Sequence, residues 1–126
     1  MKMIGYVTLG VSDMQRSIAF WSELLADMGC TVQIEMDRIA MIGKSMNEPM
    51  VGVCLPFDGN DCHPGNGNML SINVADNQTV QKLHAKALEL GGTDEGAPGV
   101  RLPDVWYGGY FKDPDGNKVA FFNWGG

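Results

Sequence analysis

The stretch VTLGVSD at residues 7–13 is matched in pattern by LSINVAD at residues 70–76, which lies 63 residues further along (Val7 to Leu70). Each copy alternates like a half-buried strand and ends on an aspartate that suits the N-cap of a helix. A helical apolar pattern follows each copy, and glycine ends it at Gly29 and at Gly91. These matched segments predict a chain built from two related halves.

Three further strands are indicated after each predicted helix. They are predicted at residues 31–36, 39–42 and 50–55 in the first half, and at 99–102, 106–112 and 118–124 in the second. The segment DPDGN at 113–117 joins the last two strands, because proline and glycine favour a tight turn. The order predicts an α+β fold of two βαβββ modules, over 4–55 and 69–124. A linker over 56–68 connects them within one domain of residues 1–126.

Apolar residues at intervals of three or four predict the buried face of each helix. On the first helix these are Met14, Ile18, Trp21, Leu25 and Met28, and on the second they are Val80, Leu83, Ala87 and Leu90. Ser12 and Asp13 are both candidate N-caps of the first helix. His84 lies beside Leu83 and away from the apolar positions, and we interpret it as a solvated helix residue. When the two halves are aligned at the 63-residue offset, His84 corresponds to Trp21.

Composition narrows the classes of partner. The chain has a net charge of -6 and a pI of about 4.6, which argues against nucleic acid as a partner. Neither a signal peptide nor an apolar run of about 20 residues is recognised, so no membrane partner is expected. The three cysteines, Cys30, Cys54 and Cys62, form no C-x-x-C pair and are interpreted as free thiols of a cytoplasmic protein.

Three segments together resemble a known family. VTLGVSD with its following helix, LGGTDEGAPG at 90–99 and DPDGNK at 113–118 are similar to the glyoxalase / bleomycin resistance / extradiol dioxygenase superfamily, the vicinal oxygen chelate proteins. The resemblance extends from Ile4 to Trp124. It implies paired βαβββ modules that form a curved, eight-stranded mixed sheet around a cleft, and commonly a homodimer. Pairing of the modules within one chain and by exchange between two chains are both open.

The metal positions of that family are altered in this sequence. Its enzymes usually hold a divalent metal through a histidine in the first strand of each module and a glutamate in the last strand. The matching positions are Tyr6, Met69 and Ala120. Alanine has no ligand atom, and methionine and neutral tyrosine are poor ligands for such ions. No cofactor is therefore predicted, and a divalent metal is kept as the less favoured alternative.

The remaining strand residues predict an aromatic cleft. A hairpin register that pairs Tyr110 with Ala120 would place Trp106 and Tyr110 on the same sheet face as Ala120 and Phe122. Arg101 would lie at the cleft mouth, where it could bind a carboxylate or a phosphate. Such a lining suits an apolar or planar ligand, with cation–π support. A closed core is the alternative interpretation. The predicted ligand-binding residues are Tyr6, Met69, Arg101, Trp106, Tyr110, Ala120 and Phe122.

Three functions are compatible with these observations. The first is a metal-independent small-molecule-binding protein, similar to the drug-sequestering proteins of the family. The second is a glyoxalase-like lyase or isomerase with a non-standard site, for which Tyr6 and Tyr110 are the candidate catalytic residues. A Cys62–His63 nucleophile pair is a further possibility, although no third orienting residue is evident. The third is a dimerisation module without a ligand.

Overall fold

The structure is a computed structural model and describes residues 2–125. The chain divides into two compact units between His63 and Pro64, inside the predicted linker. The first unit contains β1 (Tyr6–Gly10), α1 (Met14–Leu25), a 3-10 turn (Ala26–Met28), β2 (Thr31–Glu35), β3 (Ile39–Gly43) and β4 (Met50–Cys54). The second contains β5 (Leu70–Asn73), α2 (Asn77–Glu89), β6 (Thr93–Leu102), β7 (Trp106–Lys112) and β8 (Lys118–Trp124).

Each unit forms a four-stranded mixed sheet with the same connectivity. The strand order is β1-β4-β3-β2 in the first unit and β5-β8-β7-β6 in the second. In both, the first strand runs parallel to the last, and the other neighbours are antiparallel. The α+β class and the paired βαβββ modules are therefore confirmed.

Strand β6 is longer than the sequence pattern indicated. It runs over Thr93–Leu102, whereas only residues 99–102 were predicted. Its pairing with β7 shifts register at three places along the strand, between Asp94 and Gly96, between Gly96 and Gly99, and between Val100 and Leu102. Irregular pairing of this kind accommodates the glycines and the proline, so the segment has the composition of a loop although it is a strand.

Helix α1 buries a face that differs in part from the predicted one. Trp21 and Leu25 are buried as expected, but Met14 and Ile18 are only half-buried. Phe20 and Leu24 are buried in their place, together with the small polar residue Ser17. Asp13 is the N-cap, and its carboxylate accepts a hydrogen bond from the Arg16 amide at 3.0 Å. The turn ends at Gly29 with a φ of 79°, which favours glycine.

Helix α2 corrects the interpretation of His84. Its N-cap is Asp76, which accepts from the Thr79 amide at 2.8 Å, as predicted. His84, expected in solvent, is only 5% exposed and lies on the buried face with Val80, Leu83 and Ala87. It thus occupies the position equivalent to the fully buried Trp21. The 63-residue repeat, which aligns His84 with Trp21, therefore indicated the buried position of His84 better than the apolar spacing of the helix did.

The turn between β7 and β8 is built around Asp113, which is 3% exposed. Its carboxylate accepts hydrogen bonds from the Asp115 amide at 3.0 Å, the Asn117 amide at 2.8 Å and the Asn117 side-chain amide at 3.0 Å. Burial raises the pKa of the Asp113 carboxyl, against the lowering effect of these donors. The predicted hairpin is confirmed, and its register is held by a buried acid.

Replacing Asp113 with alanine is expected to lower the free energy of unfolding by about 2–3 kcal/mol, because three part-buried N–H donors lose their acceptor. Asp113→Asn removes the titratable carboxyl but keeps a side-chain carbonyl that can accept hydrogen bonds. A carboxyl whose pKa is raised on folding binds its proton more tightly in the native state, so its contribution to stability falls as pH rises above about 4. The stability of Asp113→Asn relative to wild type, measured by urea unfolding, should therefore rise from about pH 4 to about pH 7. A pH-independent difference would contradict this assignment.

Candidate functional site

The sheet of the second unit has two dissimilar faces. Phe111, Val119 and Phe121 are fully buried on the face that α2 covers. Gly109 belongs to that face too, since a Cβ built on it would lie 3.1 Å from Cδ2 of His84 on α2. The strand alternation places Trp106, Tyr110 and Phe122 on the opposite face. These three predicted ligand-binding residues therefore lie on the face that α2 does not cover.

Three aromatic rings on this face lie nearly parallel. The Trp106 and Tyr110 ring centroids are 5.6 Å apart at an interplanar angle of 21°, and those of Trp106 and Phe122 are 5.5 Å apart at 10°. Trp124 meets Phe122 edge-on at 4.9 Å. We call Trp106, Tyr110, Phe122 and Trp124 the aromatic cluster. Offset stacking at these separations is a favourable geometry for aromatic pairs.

Gly108 makes this stacking possible. It pairs with Phe122 across the β7–β8 hairpin, and Tyr110 pairs with Ala120 as predicted. A Cβ on Gly108 would lie 2.5 Å from Cη2 and 2.7 Å from Cζ3 of Trp106. The indole therefore lies over bare backbone, and any side chain at this position would displace it.

Two cations approach Tyr110 from the two neighbouring strands. The Lys118 ammonium on β8 is 4.9 Å from the Tyr110 ring centroid, and the Arg101 guanidinium carbon on β6 is 5.3 Å from it. Both distances lie within the range of cation–π attraction. The site thus combines an aromatic surface with two positive charges.

Arg101 is held along β6 by a backbone contact and two glycines. Its Nη2 donates a hydrogen bond to the Ala97 carbonyl at 2.6 Å. A Cβ on Gly96 would lie 3.2 Å from Nη2, and one on Gly99 would lie 2.9 Å from Nη1. The guanidinium therefore lies over glycine backbone, and its position depends on the absence of side chains there.

His84 connects α2 to the strand that carries Tyr110. Its Nε2 is 3.0 Å from the Tyr110 carbonyl oxygen and 3.2 Å from Asp94 Oδ1, so this nitrogen carries the proton that it donates. Asp94 Oδ1 also accepts from the Gly96 amide at 2.9 Å. His84 is therefore a structural link behind the site and has no free nitrogen at Nε2 for a metal.

The structure brings together only part of the predicted site. Arg101, Trp106, Tyr110 and Phe122 converge on one face of the second sheet. Ala120 lies on the same face but is fully buried, so it offers no surface to a ligand.

Two other predicted residues take no part in these ring and cation contacts. Met69 directly precedes β5 and is 44% exposed. Strand alternation places it on the same face as Ser71, which pairs with Ala120. Tyr6 belongs to the first unit, where it pairs with Met50 and is 56% exposed. Its part in a shared site stays a prediction.

The predicted ligand-binding residues do not include two contributors, Lys118 and Trp124. Both lie on β8 at intervals of two from Ala120 and Phe122, so strand periodicity alone places them on the same face. Trp124 is 60% exposed, and Lys118 is also exposed. The alternation that places Ala120 and Phe122 on this face therefore also indicates Lys118 and Trp124.

The donor set does not suit the metal that the family resemblance implies. Across residues 2–125, no group of three or more histidine, cysteine, aspartate or glutamate side chains is arranged to hold a metal ion. The positions that the resemblance matches to the family's ligands are Tyr6, Met69 and Ala120, and the last is a buried methyl group. Neither phenol nor thioether is a preferred ligand of hard divalent ions. We therefore derive no step through a metal.

The cysteine and histidine candidates lie in the first unit. Cys30, Cys54 and Cys62 are half-buried, and none of the three forms a disulfide bond. Burial raises the pKa of the Cys30 thiol, which disfavours the nucleophilic thiolate. The Cys62 Cβ lies 3.2 Å from the position of a Cβ built on Gly10, so Cys62 packs against the end of β1, and His63 is exposed. A Cys62–His63 catalytic pair stays a prediction.

Comparison with known proteins places this fold in a family. Residues 3–121 match the model of the Glyoxalase/Bleomycin resistance protein/Dioxygenase superfamily, and the chain belongs to this superfamily. No curated protein sequence matches the chain significantly. Among the described residues, no helix is both long enough and apolar enough to cross a membrane.

Solved structures agree with this assignment. A glyoxalase/bleomycin resistance protein from Albidiferax ferrireducens is 28% identical, with a TM-score of 0.86 over 97% of this chain and 98% of that one. A putative glyoxalase from Bacillus halodurans is 24% identical, with a TM-score of 0.74 over 96% and 95% of the two chains. A glyoxalase/bleomycin resistance protein/dioxygenase family enzyme from Burkholderia phytofirmans is 20% identical, with a TM-score of 0.76 over 94% and 96%. The last two show the shared fold alone.

Proposed function

We propose that this protein is a metal-independent small-molecule-binding member of the superfamily, with the aromatic cluster as its ligand surface. The observation that carries the proposal is the parallel stacking of Trp106 with Tyr110 and with Phe122 on the sheet face opposite α2. A row of parallel rings offers a planar molecule further stacking area at little conformational cost.

The exposure of these residues favours a binding surface over a closed core. Trp106 and Tyr110 are half-buried, and Trp124 is 60% exposed. The fully buried aromatic residues of the unit, Phe111 and Phe121, lie on the other face, whereas Phe122 of the cluster is 6% exposed. The accessible part of the cluster is therefore Trp106, Tyr110 and Trp124. Contiguous apolar side chains that reach the surface are characteristic of interaction sites.

Four further attributes stay predictions. They are a cytoplasmic location, a homodimer, glyoxalase-like lyase or isomerase activity, and the ligand-free dimerisation module. Sedimentation equilibrium tests the dimer directly. An enzyme that uses Tyr110 would need its hydroxyl, so turnover lost in Tyr110→Phe with retained ligand affinity would favour the enzyme over the binding protein.

Replacing Trp106 with alanine is expected to weaken binding of planar aromatic fragments by at least about tenfold, because the central ring of the cluster is removed. Ligand-observed NMR with a fragment library, performed on wild type and variant, measures this loss. The matched control is Phe57→Ala, which removes an aromatic ring that is 89% exposed in the first unit. Fragments that bind both variants as they bind wild type would contradict the proposed surface.

A further inference from the structure

The charge around Tyr110 differs in sign from that of the whole chain. The net charge is -6, yet Lys118 Nζ and the Arg101 guanidinium carbon lie 4.9 Å and 5.3 Å from the Tyr110 ring centroid. Within residues 2–125, neither cation has a carboxylate partner at ion-pair distance. Two cations beside one ring, without an internal counter-charge, form a local positive site.

The nearest acidic residues on β6 are engaged elsewhere. Asp94 contacts His84 at 3.2 Å and accepts the Gly96 amide, and Glu95 pairs with Lys112 at 3.6 Å. These contacts direct both carboxylates of β6 toward other groups, and neither forms an ion pair with Arg101. A cationic ligand would therefore meet two like charges at Tyr110.

Arg101 has unused N–H donors, and a hydrogen bond already fixes the position of its guanidinium group. A guanidinium carries five N–H donors, and one contact, from Nη2 to the Ala97 carbonyl, anchors it over Gly96 and Gly99. A planar fork held in this way can bind a carboxylate through two parallel hydrogen bonds with little further ordering. Lys118 supplies a second, flexible charge from the opposite side of β7.

We infer that the ligand is a planar aromatic carboxylate. Its ring stacks on the Trp106–Tyr110 surface, and its carboxylate is bound by Arg101 and Lys118. This inference rests on the proposed function, and it adds the chemical class of the ligand. The acidic remainder of the surface repels anions in general, so selection for this class depends on the aromatic body and the local cations acting together.

The test uses three probes of one shape and different charge, which are naphthoate, naphthamide and naphthylmethylammonium. Isothermal titration calorimetry on the full chain measures each dissociation constant. We expect naphthoate to bind at least about tenfold more tightly than naphthamide, since it alone brings a negative charge to the two cations and can accept two parallel hydrogen bonds from the guanidinium. We expect naphthylmethylammonium to bind most weakly, because it meets like charges.

Three variants locate the anion site. Arg101→Gln and Lys118→Gln should each weaken naphthoate binding by about fivefold to tenfold and leave naphthamide binding unchanged. Gly99→Ala should also weaken naphthoate binding, because its methyl group would displace Nη1 of Arg101 without removing the charge.

The matched control is Arg38→Gln in the first unit. Arg38 also lies over an aromatic ring, 5.4 Å from the Phe57 centroid, and donates to a backbone carbonyl, that of Leu55 at 2.9 Å. Its removal should leave naphthoate binding unchanged. Equal affinity for the three probes, with binding still lost in Trp106→Ala, would overturn the anion inference and leave the proposed function standing. Absence of Trp106-dependent binding by any probe would overturn both.

Discussion

Gly108→Ala is expected to lower the free energy of unfolding by about 2–3 kcal/mol and to abolish stacking in the aromatic cluster. The alanine methyl would lie 2.5 Å from Cη2 of Trp106 and 2.8 Å from the Phe121 carbonyl oxygen. The indole can rotate away, but the carbonyl belongs to the paired strand β8 and moves only if the hairpin distorts. The variant therefore affects stability and ligand binding together.

Urea unfolding with a double-mutant cycle separates these two contacts. In Trp106→Ala the indole clash is already absent, so adding Gly108→Ala should cost less than it does in wild type. The part that remains measures the contact with the Phe121 carbonyl. Gly5→Ala is the control, since a Cβ there meets nothing within 4 Å, and its effect should stay within about 0.5 kcal/mol. A cost for Gly108→Ala as small as this would contradict the packing of Trp106 over Gly108.

The sequence was most informative where structure depends on local chemistry. Asp13 and Asp76 cap their helices because an N-cap needs only its own side chain and an amide three residues on. The turn at 113–117 forms as expected because proline and glycine restrict the backbone locally. The pairing of Tyr110 with Ala120 then follows from the turn, which is why the aromatic face could be predicted in part.

Features that depend on tertiary contacts were less accessible. On α1, rows of apolar residues overlap, and the choice of Phe20 and Leu24 over Met14 and Ile18 is made by what the helix packs against. The approach of Arg101 to Tyr110 depends on a long side chain that crosses two glycines on an irregular strand. Residue spacing does not determine such a path.

His84→Ala is expected to lower the free energy of unfolding by about 3 kcal/mol, although sequence pattern alone suggested an exposed residue. The substitution leaves a cavity beneath Gly109 and removes the donor to the Tyr110 carbonyl, and both effects are destabilising. Lys82→Ala on the exposed side of the same helix is the control, with an expected change within about 0.5 kcal/mol.

His84→Gln distinguishes the two contributions in the same urea-unfolding measurement. Glutamine keeps a side-chain N–H donor but fills less of the space against Gly109, so its loss should lie between those of wild type and His84→Ala. The internal repeat supports the same expectation, because His84 on α2 is at the position equivalent to the buried Trp21 on α1. If His84→Ala were as stable as Lys82→Ala, α2 would not hold β7 through this histidine, and the strand carrying Tyr110 would need another anchor.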